Sequence, residues 1–338
     1  MHDGINEAKV EAWLNANVEE LHGPYTYTLI AGGRSNLTFL GTDSKGTRFV
    51  LRRPPLGHVL ATAHDMAREH RIISAVGKTN VPVPRTLGVC TDDDVNGAPF
   101  YVMAYVDGIV LDSQERGAAV PENLREQVAF DLIDVLAALH SADIDAIGLG
   151  DLAKREGYVE RQVKRWTTQW ENSKTRELPE IEEVAKLLKA SMPVQQATAI
   201  AHGDYRLGNC LTDVTKGRVT AVLDWELCTL GDPLADLGYI GVYWSEPGEN
   251  LRHNDPSGLA GFPGYDALVS RYADKTGFDV SNINYYKAFG AFRLAVISEG
   301  VYARYIHGAM GKQDYDPTPL KESTDALARM ALSTMKKN

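Results

Sequence analysis

The chain is poor in cysteine: three in 338 residues, Cys90, Cys210 and Cys228. An odd number at spacings unlike any metal motif builds neither a disulfide framework nor a zinc site, so reduced, buried thiols are expected. Long hydrophobic runs are also missing. No apolar stretch approaches the ~18 residues of a membrane span, and the polar, helix-patterned segment Met1 to Asn17 lacks the apolar core of a signal peptide. A cytoplasmic protein is expected. Positive charge is in deficit, with 35 Lys and Arg against 45 Asp and Glu, a formal net charge of -10. That balance argues against general nucleic-acid or anionic-membrane binding. Repeats, biased tracts and long linkers are absent too. What remains is an ordinary globular composition, long enough for two lobes with hydrophobic cores of their own.

Chemistry concentrates in two neighbouring runs. The first is His202-Gly203-Asp204-Tyr205-Arg206-Leu207-Gly208-Asn209; the second is Val222-Leu223-Asp224-Trp225-Glu226. Between them, Cys210 to Thr212, Asp213 to Gly217 and Arg218 to Leu223 pattern as strand, turn, strand. A hairpin returns Asp224 to the end of the ribbon where Asn209 lies. Two carboxylates and an amide then meet: one acid to orient a hydroxyl, and an Asn and an Asp as hard oxygen ligands for Mg2+. Taken singly, Asp204 equally fits a turn or cap residue, and Asp224 the polar end of a strand.

The pattern H-G-D-x-x-x-x-N, followed by a strand and D-W-E, resembles the aminoglycoside phosphotransferase and choline kinase-like branch of the protein-kinase-like fold. That resemblance implies an α+β, bilobal molecule. Residues 1–106 would form a nucleotide-binding lobe on a five-stranded sheet with one paired helix. Residues 107–338 would form a helical lobe carrying the catalytic loop, the metal site and the acceptor-binding helices. It further implies Asp204 as the catalytic acid–base group, Asn209 and Asp224 as Mg2+ ligands, and ATP or GTP as phosphoryl donor.

In the first lobe, Tyr25 to Ile30 and Leu37 to Leu40 read as strands around Gly32-Gly33-Arg34-Ser35-Asn36. Glycine allows close backbone approach to a phosphate, and turn amides can donate to its oxygens; the same residues also suit a plain hairpin turn. In the strand Thr47 to Arg52, Phe49 and Leu51 point one way, Val50 and Arg52 the other. The helix predicted over Ala61 to Val76 places Glu69 on the apolar stripe of Met66, Ile73 and Val76. A carboxylate there calls for a cationic partner unless it reaches solvent. The resemblance assigns that partner to Arg52, where protein kinases carry Lys, with Arg53 as the competing choice. Phe100 to Val106 looks like the strand and hinge for an adenine, with Met103, Ala104 and Tyr105 as backbone candidates; a core strand fits equally.

In the second lobe, helices are predicted over Asn123 to Ala142, Gly157 to Trp170, Glu180 to Met192, Asn284 to Gly308 and Leu320 to Met335. His202 reads as a buttress of its loop and His140 as a satisfied helix-end residue. Asp232 and Pro233 read as N-cap and N1 of a further helix. Asp236, in its first turn, stabilises the helix end or bonds back to the catalytic loop.

Phe49 to Pro55, Val81 to Pro84, Gly97 to Met103, Leu230 to Pro233 and Phe292 to Arg304 are similar to the phosphotransferase domain associated with acyl-CoA dehydrogenases. For that subgroup the implied acceptor is a hydroxyl on an acyl-CoA-type metabolite; for the wider family it is an aminoglycoside-like alcohol. Arg161, Lys164 and Arg165, at i, i+3 and i+4, suit an anionic acceptor, or a solvated charged face. Two other readings stay open: a nucleotide-binding pseudokinase, since Arg52 replaces Lys, and a metal-dependent phosphoesterase using His202, Asp204, Asn209 and Asp224.

Overall fold

The computed structural model describes residues 3–31, 36–56, 65–246, 254–308 and 315–337. After helix α1 (Glu7–Asn17), the chain forms strands β1 (Thr26–Ala31), β2 (Leu37–Thr42) and β3 (Arg48–Arg53). Helix α2 (Met66–Val76), strand β4 (Thr86–Cys90), the single turn α3 (Asp93–Asn96) and strand β5 (Phe100–Ala104) follow. The sheet is antiparallel with order β1-β2-β3-β5-β4. Period-two burial sets its faces: along β2, Leu37, Phe39 and Gly41 are buried while Thr38, Leu40 and Thr42 are half-buried.

Phe39, Phe49, Leu51 and Phe100 pack with Val10 and Leu14 of α1 in one core. Val50 joins Ile73 and Val76 of α2 in the other. Burying each of these phenylalanines contributes on the order of 1.5–3 kcal/mol. The expected alternation in β3 is therefore realised, with Arg52 on the α2 side. Arg53, on the α1 side, donates to the carbonyls of Gly4 and Asn96 and of Pro54.

The expected helix over Ala61 to Val76 is described only from Met66. Asp65 caps it, accepting from the Arg68 amide at 2.9 Å. Between β4 and β5, the run Asp92 to Gly97 holds α3, because Asp92 caps the Asp94 amide and Gly97 closes it at φ 70°.

The remainder is mainly helical: β6 (Ile109–Val110), α4 (Gln114–Gly117), α5 (Glu122–His140), α6 (Tyr158–Ser173) and α7 (Pro179–Ala190). Next come β7 (Ala199–Ala201), β8 (Cys210–Asp213), β9 (Arg218–Val222), β10 (Thr229–Gly231), α8 (Leu234–Tyr243), α9 (Tyr265–Thr276), α10 (Ile283–Ile306) and α11 (Thr318–Met335). The predicted hairpin exists as β8–β9, extended by β6 into three strands; β7 pairs with β10. Helix α8 starts one residue later than expected, yet Asp232 still accepts from the Leu234 amide at 3.1 Å. Helix α8 is buried from Leu234 to Val242 and packs on α10. Gly238 makes that approach possible: a Cβ there would lie 2.4 Å from the Tyr286 carbonyl carbon. All three cysteines are free and buried. Among the described residues no helix is long and apolar enough to cross a membrane.

Candidate active site

β7 delivers the chain into His202, which is fully buried. The amides of His202 and Gly203 donate to the two carboxylate oxygens of Asp236 at 2.6 and 2.9 Å. Of its two expected alternatives, Asp236 thus takes the second and bonds back to the loop from the first turn of α8. Burial pushes its carboxyl upward, but the His140 hydrogen bond and charge and the Gly203 amide hold it below the usual range. His140 is satisfied as expected, between the Tyr272 hydroxyl (2.6 Å) and Asp236 (3.3 Å).

The imidazole of His202 has both nitrogens committed. Nδ1 accepts from the Asp204 amide at 3.2 Å, so Nε2 carries the proton and donates to the Leu223 carbonyl at 2.9 Å. It ties the loop to the end of β9, a buttress rather than a base. Gly203 adopts φ 86°, and a Cβ there would stand 2.8 Å from the Leu227 carbonyl oxygen. Only glycine satisfies both conditions without strain.

Asn209 donates its side-chain amide to the Asp204 carbonyl (2.8 Å) and to its carboxylate (2.7 Å). Asn209 then accepts from the Leu223 amide through its own carbonyl at 2.8 Å, which sets Asp224 alongside. Asp224 takes the left-handed conformation, φ 64°, at the end of β9. Aspartate tolerates that region better than most residues.

Arg52 is 12% exposed and bridges three acids: Asp224 at 2.6 Å, Glu69 at 3.4 Å and Glu226 at 3.9 Å. The expected Arg52–Glu69 pair is present, but its contact lacks hydrogen-bond geometry on either side. The short contact goes to Asp224, 172 residues away in sequence. Burial pushes the 2%-exposed Glu69 upward against the pull of Arg52. Glu226 is pushed up to about 7, chiefly by burial and then by repulsion from Asp224, with Arg52 opposing. Glu226 was not among the expected site residues, although it stands two positions after Asp224. Asn36, 3% exposed, donates to it at 3.3 Å. The rest of the glycine turn, Gly32, Gly33, Arg34 and Ser35, lies outside the described residues.

A cavity of about 280 Å³ opens between the sheet and β9, lined among others by Val50, Arg52, Tyr101, Leu223 and Asp224. Met103, Ala104 and Tyr105 all border it. Two of their amides are already used: Ala104 donates to the Arg85 carbonyl at 2.8 Å and Tyr105 to that of Arg48 at 3.4 Å. A second hollow of about 210 Å³ adjoins the loop from His202 to Asn209 at Arg206 and Gly208, against Asp112, Tyr243 and Trp244. Of the basic trio on α6, Arg161 turns back onto the carbonyls of Lys154 and Glu156, and Lys164 borders a hollow between α6 and α7. Only Arg165 stacks toward Trp166, at 5.2 Å; one helix face in sequence is three different environments in the fold.

The donor set beside the cavity is one carboxylate and one amide oxygen. Among the described residues no three His, Cys, Asp or Glu side chains gather as a metal cage. The Asn209 amide nitrogen is spent on Asp204, leaving its Oδ1 as a pure acceptor, and Asp224 already faces a cation in Arg52. Two such oxygens suit a Mg2+ that keeps waters and phosphate oxygens as its remaining ligands.

The family model described as "Phosphotransferase enzyme family" matches residues 26–268. Acyl-CoA dehydrogenase family member 11 of Rattus norvegicus is 33% identical over 96% of the chain, which spans only 44% of that longer protein. A crystal structure of a Ralstonia eutropha protein, provisionally called an aminoglycoside phosphotransferase, superposes with a TM-score of 0.84. It is 34% identical and covers 98% of both chains. An aminoglycoside phosphotransferase solved with ADP and hygromycin B shares the fold at 16% identity, TM-score 0.61, over 95% of this chain and 98% of its own. With the matched model covering most of its length, this chain belongs to the phosphotransferase enzyme family.

Proposed function

We propose that the chain transfers the γ-phosphoryl group of ATP to a hydroxyl of a small acceptor, a hydroxyacyl-CoA-like metabolite rather than an aminoglycoside. The observation that carries this reading is the bonded pair Asp204–Asn209 set beside Asp224 and Arg52 at the mouth of a cavity bordered by Met103, Ala104 and Tyr105. Residues 1–106 serve as the nucleotide lobe and residues 107–338 as the acceptor lobe. The adenine takes the cavity, and Asn36 covers the phosphates. With the Ala104 and Tyr105 amides engaged, base recognition falls to hinge carbonyls and the Val106 amide.

Asp204, aimed by Asn209, orients the acceptor hydroxyl and accepts its proton as the oxygen–phosphorus bond forms and the bond to the ADP oxygen breaks. Arg52, held between Glu69 and Asp224, turns its fork to the phosphates. Asn209 and Asp224 would hold Mg2+, which neutralises phosphate charge when bound. Positioning and charge neutralisation carry the rate. The acyl-CoA preference rests on the likeness to acyl-CoA dehydrogenase family member 11.

A nucleotide-binding protein without turnover is the competing reading, favoured by the short Arg52–Asp224 contact on a candidate metal ligand. One experiment decides between them: Mg2+-dependent ADP release, followed across hydroxyacyl-CoAs, aminoglycosides and amino alcohols. Acceptor-dependent ADP release is expected with hydroxyacyl-CoAs. Thermal stabilisation by ATP with no turnover on any acceptor refutes transfer.

A further inference from the structure

Arg293, on α10, is only 8% exposed. Other buried or half-buried arginines have ordinary partners: Arg52 lies among three acids, Arg53 donates to three carbonyls, and Arg176 pairs with Glu299 and Asp325. Among the described residues Arg293 makes no ion pair, and its Nε is enclosed with no hydrogen bond. Its guanidinium instead lies over two rings, Trp166 of α6 at 5.5 Å and Tyr239 of α8 at 5.2 Å. Ring faces offset only part of the cost of burying a cation.

The same aromatic pair leads to the catalytic loop. The Tyr239 hydroxyl is 3.3 Å from that of Tyr243, whose ring carries the guanidinium of Arg206 at 5.0 Å. Arg206 stands 3.5 Å from the Asp204 carboxylate, and its Nε is likewise buried with no hydrogen bond. The two guanidinium groups thus lie over neighbouring rings of one tyrosine pair, each with a buried Nε that makes no hydrogen bond, and Arg206 is ion-paired with the acid that faces the acceptor.

We infer that Arg293 and Arg206 form an oxyanion subsite, which takes a carboxylate or phosphate group of the acceptor and so presents its hydroxyl to Asp204. A planar fork suits either group, since both offer paired oxygens. A polycationic acceptor is repelled by the same pair. The placement of the hydroxyl rests on the phosphotransferase reading; the anion site does not.

The test titrates the full chain with inorganic phosphate and, separately, with acetate, while Mg2+ and a non-hydrolysable ATP analogue fill the nucleotide site. Wild type, Arg293→Met and Arg293→Lys are compared by thermal shift. At least one anion should stabilise the wild type, phosphate or acetate alone identifying the source. Its affinity should fall roughly ten- to a hundredfold in Arg293→Met, the scale of a hydrogen bond to a charged group, and less in Arg293→Lys. Without anion, Arg293→Met should melt higher than wild type, because an uncompensated buried charge is gone. Where phosphate is the anion that binds, KM for a hydroxyacyl-CoA should rise by a similar factor in turnover assays with kcat kept, while the phosphate-free hydroxyacyl-pantetheine is little affected. Equal anion binding by wild type and Arg293→Met overturns the inference, as does a lower melting point in that variant with unchanged titrations. Anion binding that depends on Arg293 without any turnover upholds the subsite and refutes phosphoryl transfer instead.

Discussion

Asp236 offers the sharpest quantitative test, because one buried carboxylate holds the backbone of the loop that carries Asp204. Replacing it with alanine strands the amides of His202 and Gly203, now bonded at 2.6 and 2.9 Å, and removes the partner of His140 Nε2. Each buried donor left unsatisfied costs about 1–3 kcal/mol. Breaking a buried charged network by removing one member costs about 3–5 kcal/mol, so Asp236→Ala should lose about that much. Asp236→Asn keeps one acceptor oxygen and should lose about half as much. Urea unfolding measures both, and kcat should fall with stability because Asp204 hangs from the same loop.

The pH dependence has a definite sign. The folded-state pKa of Asp236 lies below its unfolded value of ~3.9. Its contribution is therefore present above that value and lost as pH falls through the folded one. The acid limb of the stability curve should flatten in Asp236→Asn. A loss under about 1 kcal/mol in Asp236→Ala, within the range of an ordinary surface change, together with unchanged kcat, would refute the claim that this carboxylate sets the loop.

Other substitutions probe the same arrangement. Asp204→Ala should lower transfer about 10²- to 10⁴-fold, the usual weight of general acid–base catalysis, while the thermal shift with ATP and Mg2+ stays near wild type. Gly203→Ala, forced into φ 86° with its Cβ against the Leu227 carbonyl, should cost about 1–3 kcal/mol by denaturant unfolding and reduce kcat more than KM for ATP. Glu226 is raised from 4.5 to about 7 in the fold, so its ionisation costs stability as pH rises through that window. Glu226→Gln should accordingly raise Tm at pH 8 and change it little at pH 4; the reverse order would contradict the burial of this carboxyl.

The local pattern carried much of the site. Spacing placed Asp204 and Asn209 in one loop, and the β8–β9 hairpin that returns Asp224 to them was legible from strand, turn and strand. Alternation along β3 put Arg52 and Arg53 on opposite faces. Sequence gave weaker guidance where a residue's partner lies far along the chain. The basic trio Arg161, Lys164 and Arg165 shares a helix face, yet the surrounding helices give its members three unrelated neighbourhoods. Glu226 and Arg206 sat inside the motif unnoticed, because nothing in their spacing marks a group whose chemistry comes from burial. Helix α9 was not anticipated at all.

Amino-acid order alone determined the faces of strands and helices, the turns, and the proximity of Asp204, Asn209 and Asp224, since these follow from backbone periods of two and 3.6 residues and a short connection. Only the tertiary structure decided that Arg52 leans on Asp224 more closely than on Glu69, that Asp236 takes both loop amides, and that Arg293 is buried between the rings of Trp166 and Tyr239. Those are contacts between separate elements. How far each side chain is desolvated, and which charge it meets, is fixed by the packing of sheet against helices rather than by any neighbour in sequence.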